Sequence, residues 1–272
     1  MQKNKLGVST KAFGGKSVEE TAQLFAKANL CCTELCFCLS DLSGWQHNLG
    51  IYRELPDAEE VQKAIEIFKS YGVEVCAIGV YSNLWDGDAG RTLDSHKLFC
   101  EYCNLAYLNN VKTLTTFGGN TLIRAMRNGL DEIFYRKVYE AFGQALAEAK
   151  KRGITIALDI SCGDVITDYK AYTVLKNYIT DEFAYFDNLR LIYDIESASE
   201  NVSFDEIALC HIKDKKKNGV YFERYGTGDG DFSKIYKIAK ERPDIPLIFE
   251  YVNSENVTVT VADFRENLEK YR

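Results

Sequence analysis

The chain has 272 residues, 46% of them hydrophobic and 27% charged, the composition of a globular protein able to bury one large core. Its formal net charge is −7, and an acidic surface repels phosphate backbones, which excludes nucleic acid as an expected partner. No apolar run approaches the roughly 18 residues needed to span a bilayer, so no membrane segment is expected.

From the N-terminus, Met1 leads through Gln-Lys-Asn-Lys straight into a first strand, Leu6–Ser9, with no apolar stretch of the signal-peptide kind, and a cytoplasmic location is expected. Ser17-Val18-Glu19-Glu20 is a capping box, with Glu20 three residues after Ser17, and it starts a helix whose apolar face carries Val18, Ala22, Phe25 and Ala28. A second strand covers Cys32–Phe37. Pro56-Asp57 opens a second helix with Val61, Ala64, Ile65, Phe68 and Tyr71 inward, closed by Gly72. The third strand is Glu74–Val80, the third helix runs from about Asp94 to Leu108, and the fourth strand is Thr113–Phe117. A long helix from about Asp131 to Arg152 ends at Gly153, and Thr155–Asp159 is strand five. Helix five covers about Tyr169–Tyr178 and strand six Leu189–Asp194. Only 17 positions then separate Asp194 from His211, too few for a loop, a helix and a strand, so helix six is expected to shrink to a turn at Ser203–Glu206. Strand seven is Ile207–Ile212, helix seven about Phe232–Lys240, strand eight Leu247–Tyr251 and the last helix Val261–Lys270.

Eight strands alternating with helices, without a Ser/Gly/Pro-rich linker, point to an α/β fold of one domain over residues 1–272. The expected architecture is a (βα)8 TIM barrel with a shortened helix between strands six and seven. In such barrels the strand C-termini carry the chemistry. Four consecutive strands end in a metal-ligand side chain: Asp159, Asp194, His211 and Glu250. Any one could merely cap the following helix, but four in register on strands five to eight argue for convergence. Oxygen donors with one imidazole suit one divalent ion such as Mn, Mg, Co or Zn. The nine cysteines are odd in number and scattered, which speaks against a disulfide framework and for a reducing compartment.

Cys-His-Ile-Lys-Asp (Cys210 to Asp214), Gly-Thr-Gly-Asp-Gly-Asp-Phe (Gly226 to Phe232) and Leu-Ile-Phe-Glu (Leu247 to Glu250) resemble the strand-seven, loop and last-strand motifs of the sugar phosphate isomerase/epimerase family of xylose isomerase-like barrels. Length and element order agree over the whole chain. The resemblance implies a metal-dependent isomerase or epimerase of a small sugar, sugar phosphate or polyol, with the ion on Asp159, Asp194, His211 and Glu250. Asp159 and Glu250 would then be the acid/base pair that moves a proton beside a carbonyl. Family members usually carry glutamate where Asp159 stands, one methylene longer. The same site would serve a dehydratase or lyase of the inosose dehydratase type, and a barrel that binds a sugar without turnover is a third reading. A DNA-repair nuclease of the same superfamily would need more histidines than the three present.

Substrate contacts are expected from Lys213, which shares the side of the strand with His211, and from Glu34, which matches a glutamate frequent in the family's second strand. Trp45, His47 and Trp85, in loops on the same face, could wall a sugar ring, and Arg224 with Lys215-Lys216-Lys217 could meet a phosphate. For Lys213 a salt bridge, for the tryptophans packing, and for the lysine run a solvated loop are the plain alternatives. A homo-oligomer is among the assemblies the sequence allows.

Overall fold

The computed structural model describes residues 4–13, 16–37, 56–81, 84, 89–119, 132–160, 165–183, 187–195, 202–215 and 222–271. Eight parallel strands close a barrel in the order β1 (Leu6–Ser9), β10 (Leu247–Phe249), β7 (Ile207–Ile212), β6 (Leu189–Tyr193), β5 (Thr155–Asp159), β4 (Thr113–Phe117), β3 (Glu74–Gly79) and β2 (Cys32–Leu35). The two remaining strands, β8 (Asp214–Lys215) and β9 (Phe222–Glu223), form an antiparallel hairpin above β7 that the sequence did not announce. Seven α-helices are described: α1 (Val18–Lys27), α2 (Ala58–Ser70), α3 (Ala89–Leu108), α4 (Glu132–Lys151), α5 (Tyr169–Glu182), α6 (Ser233–Glu241) and α7 (Val257–Lys270).

Helix starts follow local chemistry. Ser17 and Glu20 make the expected capping box, the Glu20 carboxylate accepting from the Ser17 N–H at 2.8 Å, and Asp57 with Glu60 repeats it at α2. Among the described residues of the connection between β6 and β7 there is a 3-10 turn, Phe204–Glu206, capped by Ser203, and no α-helix. Three helices extend beyond their expected bounds: α3 begins at Ala89, α5 runs on to Glu182, and α7 begins at Val257. His96 therefore lies within α3, half-buried, and burial pushes its imidazole below the usual range.

The apolar faces of the helices pack on the outer faces of the strands in one continuous core, with Phe25, Phe68, Phe99, Phe142, Tyr172 and Phe264 fully enclosed. A second, small cluster fills the barrel's interior: Cys32, Ala77, Ala157, Ile192, Leu209 and Ile248. These side chains matter for what lies above them. Strand side chains alternate between faces, so the residue two positions further toward each C-terminus points inward as well. That step gives Glu34 above Cys32, Gly79 above Ala77, Asp159 above Ala157, Asp194 above Ile192, His211 above Leu209 and Glu250 above Ile248. An apolar plug thus carries a polar layer directly on top of it.

Among the described residues no helix is long and apolar enough to cross a membrane. Among the described residues Cys32, Cys76, Cys100, Cys103 and Cys210 carry free thiols.

Candidate active site

His211 is the centre of the polar layer and is completely buried. Its Nδ1 faces Glu250 Oε2 at 3.4 Å and Asp159 Oδ2 at 3.6 Å, while Nε2 faces Glu34 Oε2 at 3.6 Å. These are ion-pair separations, too long for hydrogen bonds, and neither ring nitrogen makes one in the structure. Glu34 Oε2 and Asp159 Oδ1 are likewise buried without a hydrogen bond. Burial alone would lower the imidazolium pKa, but the Glu250 and Glu34 carboxylates, with Asp159, outweigh it and raise His211 to about 10.

Glu34 is fixed by its other oxygen. Oε1 accepts from Tyr81 Oη at 2.7 Å and from the Thr115 hydroxyl. Gly79 makes room for this arrangement, because a Cβ there would collide with Cys36 Sγ and lie 3.0 Å from the Tyr81 ring. Burial pushes the Glu34 carboxyl up, yet the His211 and Lys11 charges and the Thr115 hydroxyl hold it down at about 2.

Two lysines complete the layer. Lys11, in the 3-10 turn after β1, places its ammonium 2.6 Å from Glu250 Oε1 and 4.2 Å from the centre of the Tyr81 ring. Lys213, just past β7, stands 2.6 Å from Asp194 Oδ2 and 3.6 Å from Glu250 Oε2. Burial works against both ammonium charges, but the carboxylates around them raise both pKa values above the ordinary lysine range. For Glu250 the balance runs the other way: burial raises it and is outweighed by His211, Lys11 and Lys213, so it stays ionised. Asp159 is also held below the usual carboxylate range, burial being overcome by Lys213 and His211.

The donor set suits a divalent ion. Two ligands each about 2.1 Å from a tetrahedrally held ion stand roughly 3.4 Å apart, close to the observed separations of His211 Nδ1 from Glu250 and Asp159. Glu34, Asp159, Asp194 and Glu250 bring four negative charges, and Lys11 and Lys213 return two positive ones. With a neutral imidazole, one divalent ion would balance the remainder. A carboxylate on the far nitrogen is the usual partner of a metal-ligating histidine, and Glu34 stands in that place at 3.6 Å. Among the described residues no three His, Cys, Asp or Glu side chains form a ready cage.

Of the residues anticipated from sequence, Asp159, His211 and Glu250 meet around one nitrogen, Asp194 joins them through Lys213, and Glu34 lies behind His211. Arg224 turns elsewhere, donating to Thr260 on α7 at 3.1 Å. Trp45, His47 and Trp85 fall outside the described residues, as do Lys216 and Lys217. Lys11 and Tyr81 escaped the sequence reading. Alternation could have pointed to Tyr81, two positions past Gly79, but not to Lys11, which lies in the 3-10 turn after β1.

The loop motif Gly226–Phe232 has a structural role. The Asp214 carboxylate accepts from the backbone N–H of Gly226, Gly228 and Gly230 at 2.9–3.0 Å and of Lys215 at 2.8 Å. A side chain at Gly228 would sit 2.6 Å from Asp214 Oδ1. This latch ties the loop to the end of β7, beside Lys213.

Comparison with known proteins agrees with this architecture. The zinc-bound IolI protein superimposes with a TM-score of 0.69 at 14% identity, covering 98% of this chain and 99% of that one. The 3-keto-D-glucoside 4-epimerase YcjR of E. coli gives 0.69 at 15% identity, with 97% and 100% covered. The probable 3-DHS dehydratase AsbF of Bacillus anthracis gives 0.70 at 11% identity, with 96% and 98% covered. No curated protein matches the chain in sequence. The profile of the xylose isomerase-like TIM barrel family matches residues 41–271, and the chain belongs to that family.

Proposed function

We propose that this protein is a divalent-metal-dependent isomerase or epimerase of a small keto sugar or polyol, shifting a proton on the carbon beside a carbonyl. The observation that carries the reading is the convergence of Asp159 and Glu250, from strands three places apart in the barrel, on His211 Nδ1. Asp159, Asp194, His211 and Glu250 would hold the ion. Bound there, it would draw electron density from a substrate oxygen and make the neighbouring C–H more acidic.

The remaining work falls to the chain's own groups. Asp159 and Glu250 approach from different walls of the barrel, so the one that is ionised can take the proton from one face of the substrate while the other, having first gained a proton from solvent, gives it to the opposite face. Glu34, 3.6 Å behind Nε2, would favour by its charge the form of His211 that keeps a proton on that nitrogen and leaves Nδ1 for the ion. Lys11 occupies Glu250 Oε1 and leaves Oε2 turned inward. The buried layer keeps bulk water from the carbanion side, which strengthens each charge–charge contact in it. IolI, whose structure holds zinc, and the E. coli 3-keto-D-glucoside epimerase, at 14% and 15% identity, support the class of chemistry without fixing the substrate.

Deuterium exchange tests the proposal without knowledge of the product. Candidate keto sugars incubated with the Mn2+-supplied protein in D2O should lose the NMR signal of the hydrogen beside the carbonyl. Asp159→Asn and Glu250→Gln should each slow that loss by at least about a hundredfold. Exchange accompanied by loss of an oxygen substituent would assign a lyase. Absence of exchange across ketoses, keto-glycosides and keto-inositols would leave a binding barrel.

A further inference from the structure

Lys213 occupies a peculiar place in this layer. It continues the inward series Leu209, His211, Lys213, so its side chain starts above the imidazole and reaches sideways to the neighbouring strand β6, ending 2.6 Å from Asp194. The same ammonium is 3.6 Å from Glu250 Oε2, the oxygen that faces His211 Nδ1. Asp194 is fully buried and Lys213 nearly so. A protonated lysine has no lone pair to offer a metal and repels one. An ion held between Glu250 Oε2 and His211 Nδ1 would therefore stand against the Lys213 ammonium, which lies 3.6 Å from that same oxygen, and the two cations would repel.

Lys11 differs. It holds Glu250 Oε1, the oxygen turned away from His211, and can stay in place whatever Oε2 binds. The two lysines thus stand in unlike relations to the donor set.

We propose that Lys213 is a resident counter-ion of the metal-free site: it holds Asp194 in the absence of a metal, yields that carboxylate to an entering divalent ion, and is thereby released to bind an oxygen of the substrate. The inference rests on the metal reading above and adds an exchange of cations at Asp194. Metal entry is then resisted by a built-in competitor, and the liberated ammonium arrives where negative charge gathers during proton transfer.

Two measurements on the full-length protein test the exchange. Mn2+ affinity is measured by competition with a chelating dye for wild type, Lys213→Met and Lys11→Met. Lys213→Met should tighten binding by about tenfold or more beyond the effect of Lys11→Met, since only the former frees a ligand as well as removing a charge. Equal effects in the two variants would reduce Lys213 to one more positive charge and overturn the proposal. On unmutated protein, which guards against misfolding of either variant, amine acetylation is followed by mass spectrometry with and without Mn2+. Labelling at Lys213 should rise several-fold on loading while Lys11 stays constant. A loaded protein, verified by elemental analysis, in which Lys213 labelling does not rise would also overturn the exchange. Failure of wild type and both variants to bind Mn2+, Co2+ or Zn2+ would overturn the metal reading and the exchange with it.

Discussion

Glu34 Oε2 points at His211 Nε2 across 3.6 Å, from the opposite side of the ring to Asp159 and Glu250. The imidazole is therefore flanked by carboxylates on both nitrogens, one behind it and two in front. The proposed metal site would use Nδ1, the nitrogen that the two front carboxylates face.

Replacing the rear carboxylate with its amide keeps the shape and removes the charge. Glu34→Gln should lower divalent-metal affinity by roughly 10–100-fold, the usual effect of losing such a partner. The fold should be retained, with the Tyr81 and Thr115 hydroxyls still donating to the amide oxygen. Unchanged affinity by dye competition would remove Glu34 from the site and leave it a structural residue.

Stability of the metal-free protein should follow pH in a defined way. Glu34 is held at about 2, against an ordinary value of 4.5, so its contribution is present above 4.5 and lost as pH falls through 2. His211 is raised from 6.5 to about 10, so its contribution is complete below 6.5 and lost as pH rises through 10. Thermal midpoints should be highest between those windows and fall on both sides. Glu34→Gln should flatten the acid limb and His211→Asn the alkaline one. A variant that leaves its limb unchanged would refute the assignment for that residue.

Asp214 makes a separate prediction about the loop above β7. Its carboxylate takes four backbone N–H donors in a nearly closed setting, so Asp214→Ala would leave those donors unsatisfied. The expected loss is roughly 2–4 kcal/mol by urea denaturation. Gly228→Ala should act in the same direction, because its Cβ would press on the same carboxylate. A loss below about 0.5 kcal/mol for Asp214→Ala would show the latch to be dispensable.

Much of this molecule was readable in its sequence, and the exceptions have physical causes. Helices opened by Ser17 and by Asp57 were placed to within a residue or so because capping boxes are local chemistry. The last helix was placed late, since Val257-Thr258-Val259-Thr260-Val261 is a β-branched run that favours strand. Tertiary packing overrides that preference, with Val257, Val261 and Phe264 buried against the barrel. The last barrel strand was expected to reach Tyr251 but stops at Phe249; Tyr251 has φ +56°, which turns the chain away just after Glu250. In the site, the ligand-type residues at strand ends were visible by alternation. A salt bridge at Lys213 was one of the two readings given for it, but its partner Asp194 and the Lys11–Glu250 pair were not, because they join β7 to β6 and β1 to β10, contacts that only a closed barrel defines.

The central claim, a divalent-metal site built on His211, is tested most directly by elemental analysis of protein purified without chelator or affinity metal, beside His211→Ala. The account predicts about one divalent ion per chain in the wild type, or its uptake on exposure to Mn2+, Co2+ or Zn2+, and none in the variant. A wild-type protein that takes up no ion, or a variant that retains it, would contradict the account.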